Sequence, residues 1–396
     1  MLIRYKIYEL GEILTGNTPS KKNNEFYDSK DIMFIKPDDI NNNITEIEHS
    51  KQYISNKAEK KARIVPKDSL LITCIGSIGK IAINKEKAAF NQQINSIIHN
   101  KKIISSKYLA YVLMVNKQRL EAIANAPVVP IINKTQFSEF QVDIHEDKEE
   151  QKKIVEVLEQ AQSLIDKRKA QIEALDELIK SRFIEMFGDP ASNPKGWNKD
   201  TIGGIVKSIT AGWSANGEAR EKREGEKAVL KVSAVTQGYF KSDEYKVISD
   251  AVEIKKYVFP EKGDLLFSRA NTREMVGATC IIHKDYPDLL LPDKLWKVLF
   301  VDRVNVFYMK YILSESSIRA EFSAQSTGTS GSMYNVSMDK FKNIEIPVPP
   351  IELQNQFADF VKQVDKLKFE MENSLKELED NFNSLMQKAF NGELFN

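Results

Sequence analysis

Apolar residues recur in alternating steps of four and three along two separate stretches of this chain, and the two stretches share one register. The first seam reads Ile154, Leu158, Ala161, Ile165, Ile172, Leu175, Ile179 and Met186. The second reads Phe357, Val361, Val364, Met371, Leu375, Leu378, Phe382, Leu385 and Ala389. This spacing lays a narrow apolar stripe along one side of a helix, the pattern of a coiled-coil seam. Gln151 and Gln354 stand at the same point before their seams, 354 − 151 = 203 positions apart. From Gln151 to Phe187 a helix would run about 55 Å at ~1.5 Å per residue. A helix of that length with an apolar stripe has to bury it. The shared register predicts that the two helices pair with each other, antiparallel, and space apart what precedes them. Packing of each helix on its own block alone is the competing reading. Arg168, Arg182 and Lys368 interrupt the seams at different heptad positions, where breaks can fix register.

The chain therefore reads as one plan used twice, a mixed block followed by a long helix, and the fold class is α+β. The segments are 1–147, a first globular block; 148–189, a first helical region; 190–346, a second block; and 347–396, a second helical region. Phe137-Ser138-Glu139-Phe140 leads into the first helix, and Phe341-Lys342-Asn343-Ile344 into the second. In the first block, Asp31 to Ile35, Ser69 to Ile75 and Ile81 to Ile83 carry strand signals, and Tyr108 to Ile123 reads as one amphipathic helix. Pro127 and Pro130 then impose an extended connector. In the second block, Ala228 to Val232 and Leu265 to Phe267 read as strands, Tyr308 to Phe322 as the helix, and Thr327 to Ser332 as a flexible loop. Gly188-Asp189-Pro190 stops the first long helix. Val65-Pro66-Lys67-Asp68-Ser69-Leu70-Leu71 resembles Phe259-Pro260-Glu261-Lys262-Gly263-Asp264-Leu265-Leu266. Elsewhere the blocks differ, as loops would that read different things.

Charge sharpens this picture. The net charge is only +1, but it is partitioned. Residues 1–145 hold 21 Lys+Arg against 15 Asp+Glu, and residues 191–346 hold 23 against 20. Residues 146–190 hold 8 against 12, and residues 347–396 hold 5 against 9. Basic blocks can meet phosphate while acidic helices stay off it. No run of 18 apolar residues is present, so no membrane partner is expected. The first residues lack a signal-peptide core, and Cys74 and Cys280 lie far apart, which fits a reduced, cytoplasmic protein.

Candidate chemistry points to DNA rather than catalysis. Gly76-Ser77-Ile78-Gly79-Lys80 fails the nucleotide-loop pattern, but its backbone N–H groups, Ser77 and Lys80 can grip a DNA phosphate. The comparable place in the second block, Ser268-Arg269-Ala270-Asn271-Thr272-Arg273, carries Arg269, Asn271, Thr272 and Arg273, residue types that read guanine and adenine edges. Asn91, Gln92 and Gln93 offer amides to bases, and Lys294-Leu295-Trp296-Lys297 holds their comparable place. The four histidines show no metal-ligand spacing. Methyltransferase signatures are absent. Asp38, Glu59 and Lys61 fit a loose nuclease pattern, which supplies the alternative of a stand-alone DNA nuclease; a coiled-coil scaffold without a DNA role is the third reading.

At Ile346-Pro347-Val348-Pro349-Pro350-Ile351-Glu352-Leu353-Gln354, feeding a heptad helix, the chain resembles the specificity subunits of type I restriction–modification systems. Thr327-Gly328-Thr329 and Phe390-Asn391-Gly392-Glu393-Leu394 resemble that family too, and the likeness spans the whole chain. It implies two target-recognition domains reading a bipartite double-stranded DNA site, with the helices as an antiparallel spacer. It implies two methylation subunits docked on the helices, joined by restriction subunits. S-adenosylmethionine, ATP and Mg²⁺ would then sit on those partners and not on this chain. His145-Glu146-Asp147-Lys148-Glu149-Glu150 departs from the family's proline-rich lead, so a differently shaped start is expected for the first helix.

Overall fold

The computed structural model describes residues 1–124, 129–249, 251–327 and 333–395. The two long helices are Lys148–Phe187 and Ile351–Phe390, each of 40 residues. Their first residues, Lys148 and Ile351, are separated by 351 − 148 = 203 positions, the offset of the seams. Gly188, with φ +80°, ends the first, and its N–H caps Ile184 O at 2.8 Å. Compactness groups the chain into Met1–Lys169 with Asn373–Asn396 as one unit, and Ala170–Glu372 as the other. Both helices thus contribute one half to each unit, so the compact units cut across the segments drawn by element type.

In the first unit a five-stranded sheet runs in the order Gly11–Thr15, Ile94–His99, Leu70–Thr73, Ile81–Asn84 and Thr45–Ile47. A second sheet runs Tyr53–Ile54, Ile32–Ile35, Ala88–Phe90 and Ile64–Val65. The strand Leu2–Lys6 pairs antiparallel with Gln141–His145, directly before the long helix. Ile154, Leu158 and Ile165 join the main core of this unit together with Phe382, Met386 and Ala389 of the second helix. Leu375 and Leu378 pack at its margin. The helices pair antiparallel here, with Lys169 Nζ 2.8 Å from Glu379.

The second unit repeats the frame. Its sheet runs Val206–Ala211, Leu295–Phe300, Leu265–Ser268 and Thr279–Ile281, and the strand Lys199–Thr201 pairs with Glu345–Pro347 before the second helix. Leu175 and Ile179 meet Phe357, Val361 and Val364 in its core, with Met371 at the edge, while Ile172 is half-buried. Lys368, a predicted break in the seam, bonds both oxygens of Asp176 at 2.7 Å. Phe183 and Phe187 are also fully packed here, against Tyr308 and Phe357. Both lay outside the seam as read, because Leu175, Ile179, Phe183 and Phe187 step by four throughout. That run drifts around a 3.6-residue helix, so its last turns meet the block at Tyr308 as well as the partner helix at Phe357.

Three expectations need correction. Tyr108 to Ile123 is not one helix but Ser106–Val115 and Lys117–Ala122. Asn116 breaks it by turning its amide back to Val112 O at 2.8 Å. Tyr308 to Phe322 likewise splits into Val306–Ser314 and Ser316–Gln325, because Glu315 is extended. The start of the first long helix also matches that of the second despite its different lead. Gln151 Nε2 donates to His145 O and Ile103 O at 2.8 and 3.0 Å. Gln354 Nε2 donates to Pro349 O and Arg303 O at 2.7 and 3.3 Å. Pro127 and the stretch Gly328 to Ser332 lie outside the described residues.

Candidate nucleic-acid interface

The two sheets carry their candidate residues at the same end, and the hydrogen-bond ladders align the two units position by position. In the first unit Thr15 pairs with Asn95, and Ile94 with Thr73. In the second Ala211 pairs with Trp296, and Leu295 with Ser268. Beyond these pairs, Cys74 N donates to Gln93 O, and Arg269 N to Lys294 O. Cys74 O accepts from Ile132 N, and Arg269 O from Val336 N. The bridge Ile75–Ile131 corresponds to Ala270–Asn335. Asp68 and Gly263, both with positive φ, open the equivalent strands. Gly76 to Lys80, Asn91 to Gln93 and the loop after Thr15 therefore share one edge, as do Arg269 to Arg273, Pro292 to Lys294 and the loop after Ala211.

A close backbone crossing builds this edge in each unit. Gly16 N bonds Ile94 O and Asn17 N bonds Phe90 O; Gly212 N bonds Leu295 O and Trp213 N bonds Leu291 O. A Cβ on Gly16 would lie 2.2 Å from Asn91 O, and one on Gly212 would lie 1.9 Å from Leu291 O, so only glycine fits either place. Two residues later Thr18 Oγ1 donates to Gln92 Oε1 at 2.8 Å, and the Ser214 hydroxyl bonds Asp293 Oδ1. Neither loop was singled out from sequence. A Gly-x-Ser/Thr triplet repeated at 212 − 16 = 196 positions was the available signal.

The predicted residues divide into those free to meet a ligand and those that build the fold. Ser77 is exposed, and Lys80 and Lys117 line a cleft of about 370 Å³ with Gly76, Asn42 and Glu121. Lys80 and Lys294 make no ion pair among the described residues. Gln92 is exposed and Gln93 half-buried. Asn91 is a correction: it is buried, its Oδ1 accepts from Gln93 N at 3.1 Å, and its Nδ2 donates to Gln93 Oε1 at 2.8 Å. It shapes the turn and does not face a ligand. The counterpart of Asn91-Gln92-Gln93 is Pro292-Asp293-Lys294, which begins two residues earlier than the stretch Lys294 to Lys297 and shares only Lys294 with it. Trp296 is buried against Phe267 and Phe341, and Lys297 is committed to Asp264 and Glu261.

At the second edge, Arg269 Nε donates to Asp293 O at 3.0 Å, and its Nη2 lies 3.3 Å from Asp293 Oδ2. Thr272 and Arg273 are exposed, with Arg273 Nε 3.3 Å from Ser323 Oγ. Asn271 Oδ1 accepts from Thr272 N at 2.8 Å, while its buried Nδ2 finds no partner among the described residues. The exposed run Lys60, Lys61, Arg63 adjoins the first edge, because Asn17 bonds both Lys61 O and Arg63 N. Cationic side chains beside exposed amides and hydroxyls are the chemistry of phosphate and base contacts.

Catalytic arrangements find little support. Glu59 is tied to Lys87 at 2.9 Å, and Asp38 sits in a short turn whose carbonyl accepts from Lys51. Among the described residues no group of three or more His, Cys, Asp or Glu side chains could hold a metal ion. Burial pushes the thiols of Cys74 and Cys280 up to about 12, so neither is a nucleophile at neutral pH. No helix among the described residues is long and apolar enough to cross a membrane.

Comparison with known proteins agrees with this arrangement. The family described as the type I restriction modification DNA specificity domain matches residues 4–174 and again 194–380. The chain is 32% identical over 222 residues to the MjaIX specificity subunit of Methanocaldococcus jannaschii, covering 51% of each chain. It is 26% identical over 265 residues to the EcoKI specificity subunit of Escherichia coli, covering 62% of this chain and 56% of that one. With the EcoEI specificity subunit of Escherichia coli it shares 25% identity over 219 residues, 53% of this chain and 37% of that one. The matches thus span roughly a third to a little over half of these relatives. Among solved structures, the S subunit from M. genitalium superposes with a TM-score of 0.52 at 14% identity, over 98% of this chain and 96% of that one. A chain solved in a study of complex assembly and conformational transition of the type I R-M system gives 0.60 at 16% identity, over 99% and 98%. At such identities the likeness is one of fold.

Proposed function

Because the chain belongs to the type I restriction–modification DNA specificity family, we propose that it is the DNA-recognition subunit of such an enzyme. It reads a bipartite double-stranded site, one half through each unit. The observation that carries this reading is the pair of aligned sheet edges. The ladders that build the two edges match, while the exposed and partly exposed residues on them differ: Ser77, Lys80, Gln92 and Gln93 in one, Arg269, Thr272, Arg273 and Lys294 in the other. Equal frames with unequal chemistry suit two half-sites of unequal sequence. The chain is not itself catalytic. Two methylation subunits dock on the helices, where Leu164, Leu178 and Phe369 are exposed apolar positions, and restriction subunits join them. These partners bring S-adenosylmethionine, ATP and Mg²⁺, and the complex works on DNA in the cytoplasm.

The test is to assay the chain alone and assembled with methylation subunits on DNA containing randomised sites. Alone, with Mg²⁺ and S-adenosylmethionine, it should neither methylate nor cut. Assembled, it should methylate adenines at one two-part motif. Cleavage by the isolated chain that disappears in Asp38→Ala would replace this reading with the nuclease.

A further inference from the structure

At both sheet edges a hydroxyl two residues after the crossing glycine holds the side chain of the turn that precedes the second strand of the sheet. In the first unit this pair is Thr18 and Gln92, and in the second it is Ser214 and Asp293. The two pairs occupy the same ladder position and share the hydroxyl, while its partner is an amide in one and a carboxylate in the other. A hydrogen bond kept while its partner changes from amide to carboxylate is a positioning device, because neither unit needs it to complete its ladder.

We infer that Thr18 and Ser214 are positioning residues, that Gln92 reads an adenine in one half-site, and that Arg269, aimed by Asp293, reads a guanine in the other. This deepens the proposed function and rests on it. Thr18 donates to Oε1 of Gln92, which leaves that oxygen one further lone pair and both hydrogens of Nε2. One acceptor beside one donor is what an adenine edge requires, N6–H to the oxygen and N7 to the amide. In the second unit the acceptor chain runs the other way. The Ser214 hydroxyl fixes Asp293, and Asp293 takes the Nε and Nη2 side of Arg269 through its carbonyl and carboxylate. The guanidinium is thereby oriented, and Nη1 with the second hydrogen of Nη2 remains as a fork. Two parallel donors match guanine O6 and N7.

The ladder also explains why the readers differ. The first-unit equivalent of Arg269 is Cys74, which is buried and accepts a bond from Asn95 Nδ2 at 3.3 Å. With no side chain able to reach out from that position, the turn residue Gln92 itself carries the readout. In the second unit the turn residue is an acid, which cannot donate to a purine, and it serves the arginine.

The experiment uses the full chain assembled with methylation subunits. Bound duplexes are selected from a library randomised over both half-sites, for wild type and for Thr18→Val, Gln92→Ala, Ser214→Ala, Arg269→Ala, Arg269→Lys and Asp293→Asn. Arg269→Ala should lower the preference for one guanine roughly 5- to 100-fold, the range of a good bidentate contact, and leave the other half-site intact. Asp293→Asn should relax that same position. Arg269→Lys should keep affinity but lose the preference, since it retains the charge and not the fork. Gln92→Ala should relax one adenine in the opposite half-site, and Thr18→Val and Ser214→Ala should relax the same positions less. The untouched half-site reports that each variant is folded. A wild-type complex that selects no two-part motif would sink the proposed function itself. A wild-type motif that survives in Gln92→Ala, Arg269→Ala and Asp293→Asn, or that weakens equally for all sequences, overturns this inference alone.

Discussion

Replacing Gln354 with glutamate changes one nitrogen to oxygen in a side chain that has no exposure. The shape is kept, so packing is not disturbed and the hydrogen bonds are tested by themselves. Gln354 Nε2 donates to Pro349 O at 2.7 Å and to Arg303 O at 3.3 Å, while Oε1 accepts from Asn305 N at 2.8 Å. In Gln354→Glu the last bond survives and the two donations are lost. Each leaves a carbonyl facing a carboxylate without a proton. At ~1–3 kcal/mol for each unsatisfied buried group, the cost is about 2–6 kcal/mol, against a total of roughly 5–15 kcal/mol for a domain. With a urea slope near ~2 kcal/mol/M, the unfolding midpoint should fall by about 1–3 M. Trp197, Trp213 and Trp296, the three tryptophans of the chain, all belong to the second unit, so fluorescence reports its unfolding. The pH dependence gives a second signature. Burial raises the introduced carboxyl above its unfolded value of about 4.3. A raised folded pKa means the deficit is smallest below that unfolded value and grows as pH rises through the folded one. Gln151→Glu, made in the first unit, should shift the tryptophan-detected transition less. A Gln354→Glu midpoint within about 0.3 M of wild type at pH 7, or a deficit that does not change with pH, would refute the view that this amide locks the helix to its block.

Further outcomes can be read from single variants. Phe183→Ala removes a ring that meets Phe187 at 5.0 Å, Phe357 at 5.4 Å and Tyr308 at 5.7 Å, and should cost ~3–5 kcal/mol in the same urea assay. Lys80→Ala and Lys117→Ala should each weaken DNA binding alike for all sequences and reduce the slope of log K against log salt by about 1; an unchanged slope would show that this cleft meets no phosphate. His145 is held neutral, because burial lowers its pKa from the ordinary 6.5, with its Nδ1 2.6 Å from Tyr108 Oη. A depressed folded pKa means the first unit keeps full stability above about pH 6.5 and loses it as pH falls toward the folded value, and His145→Gln should flatten that loss in thermal melts followed by circular dichroism.

The helical half of this molecule was legible because a repeat of four and three steps needs only one dimension to be seen. Two long helices at an offset of 203 follow from it, while the stop at Gly188 was read from the glycine and prolines that cannot continue a helix. The seam was legible where it kept the steps of four and three. Phe183 was missed because its run steps by four and its burial is shared between Phe357 of the other helix and Tyr308 of the block, residues remote in sequence. The candidate interface was legible as residue types and not as an arrangement. Asn91 and Gln92 are adjacent polar residues of similar size, and nothing in their order says that one folds back into its own turn while the other faces outward. Backbone crossing decides it, since Gly16 N reaches Ile94 O and Asn17 N reaches Phe90 O and brings Thr18 onto Gln92. Trp296 shows the same limit: flanked by Lys294, Leu295 and Lys297 it resembles a surface aromatic among cations, yet strand alternation beside Phe267 places it in the core. Periodicity along the chain determines which elements form and that they form twice. Which side chains meet at the end of each sheet is a property of ladder register, and register is settled between segments some eighty residues apart, where only the folded chain brings them together.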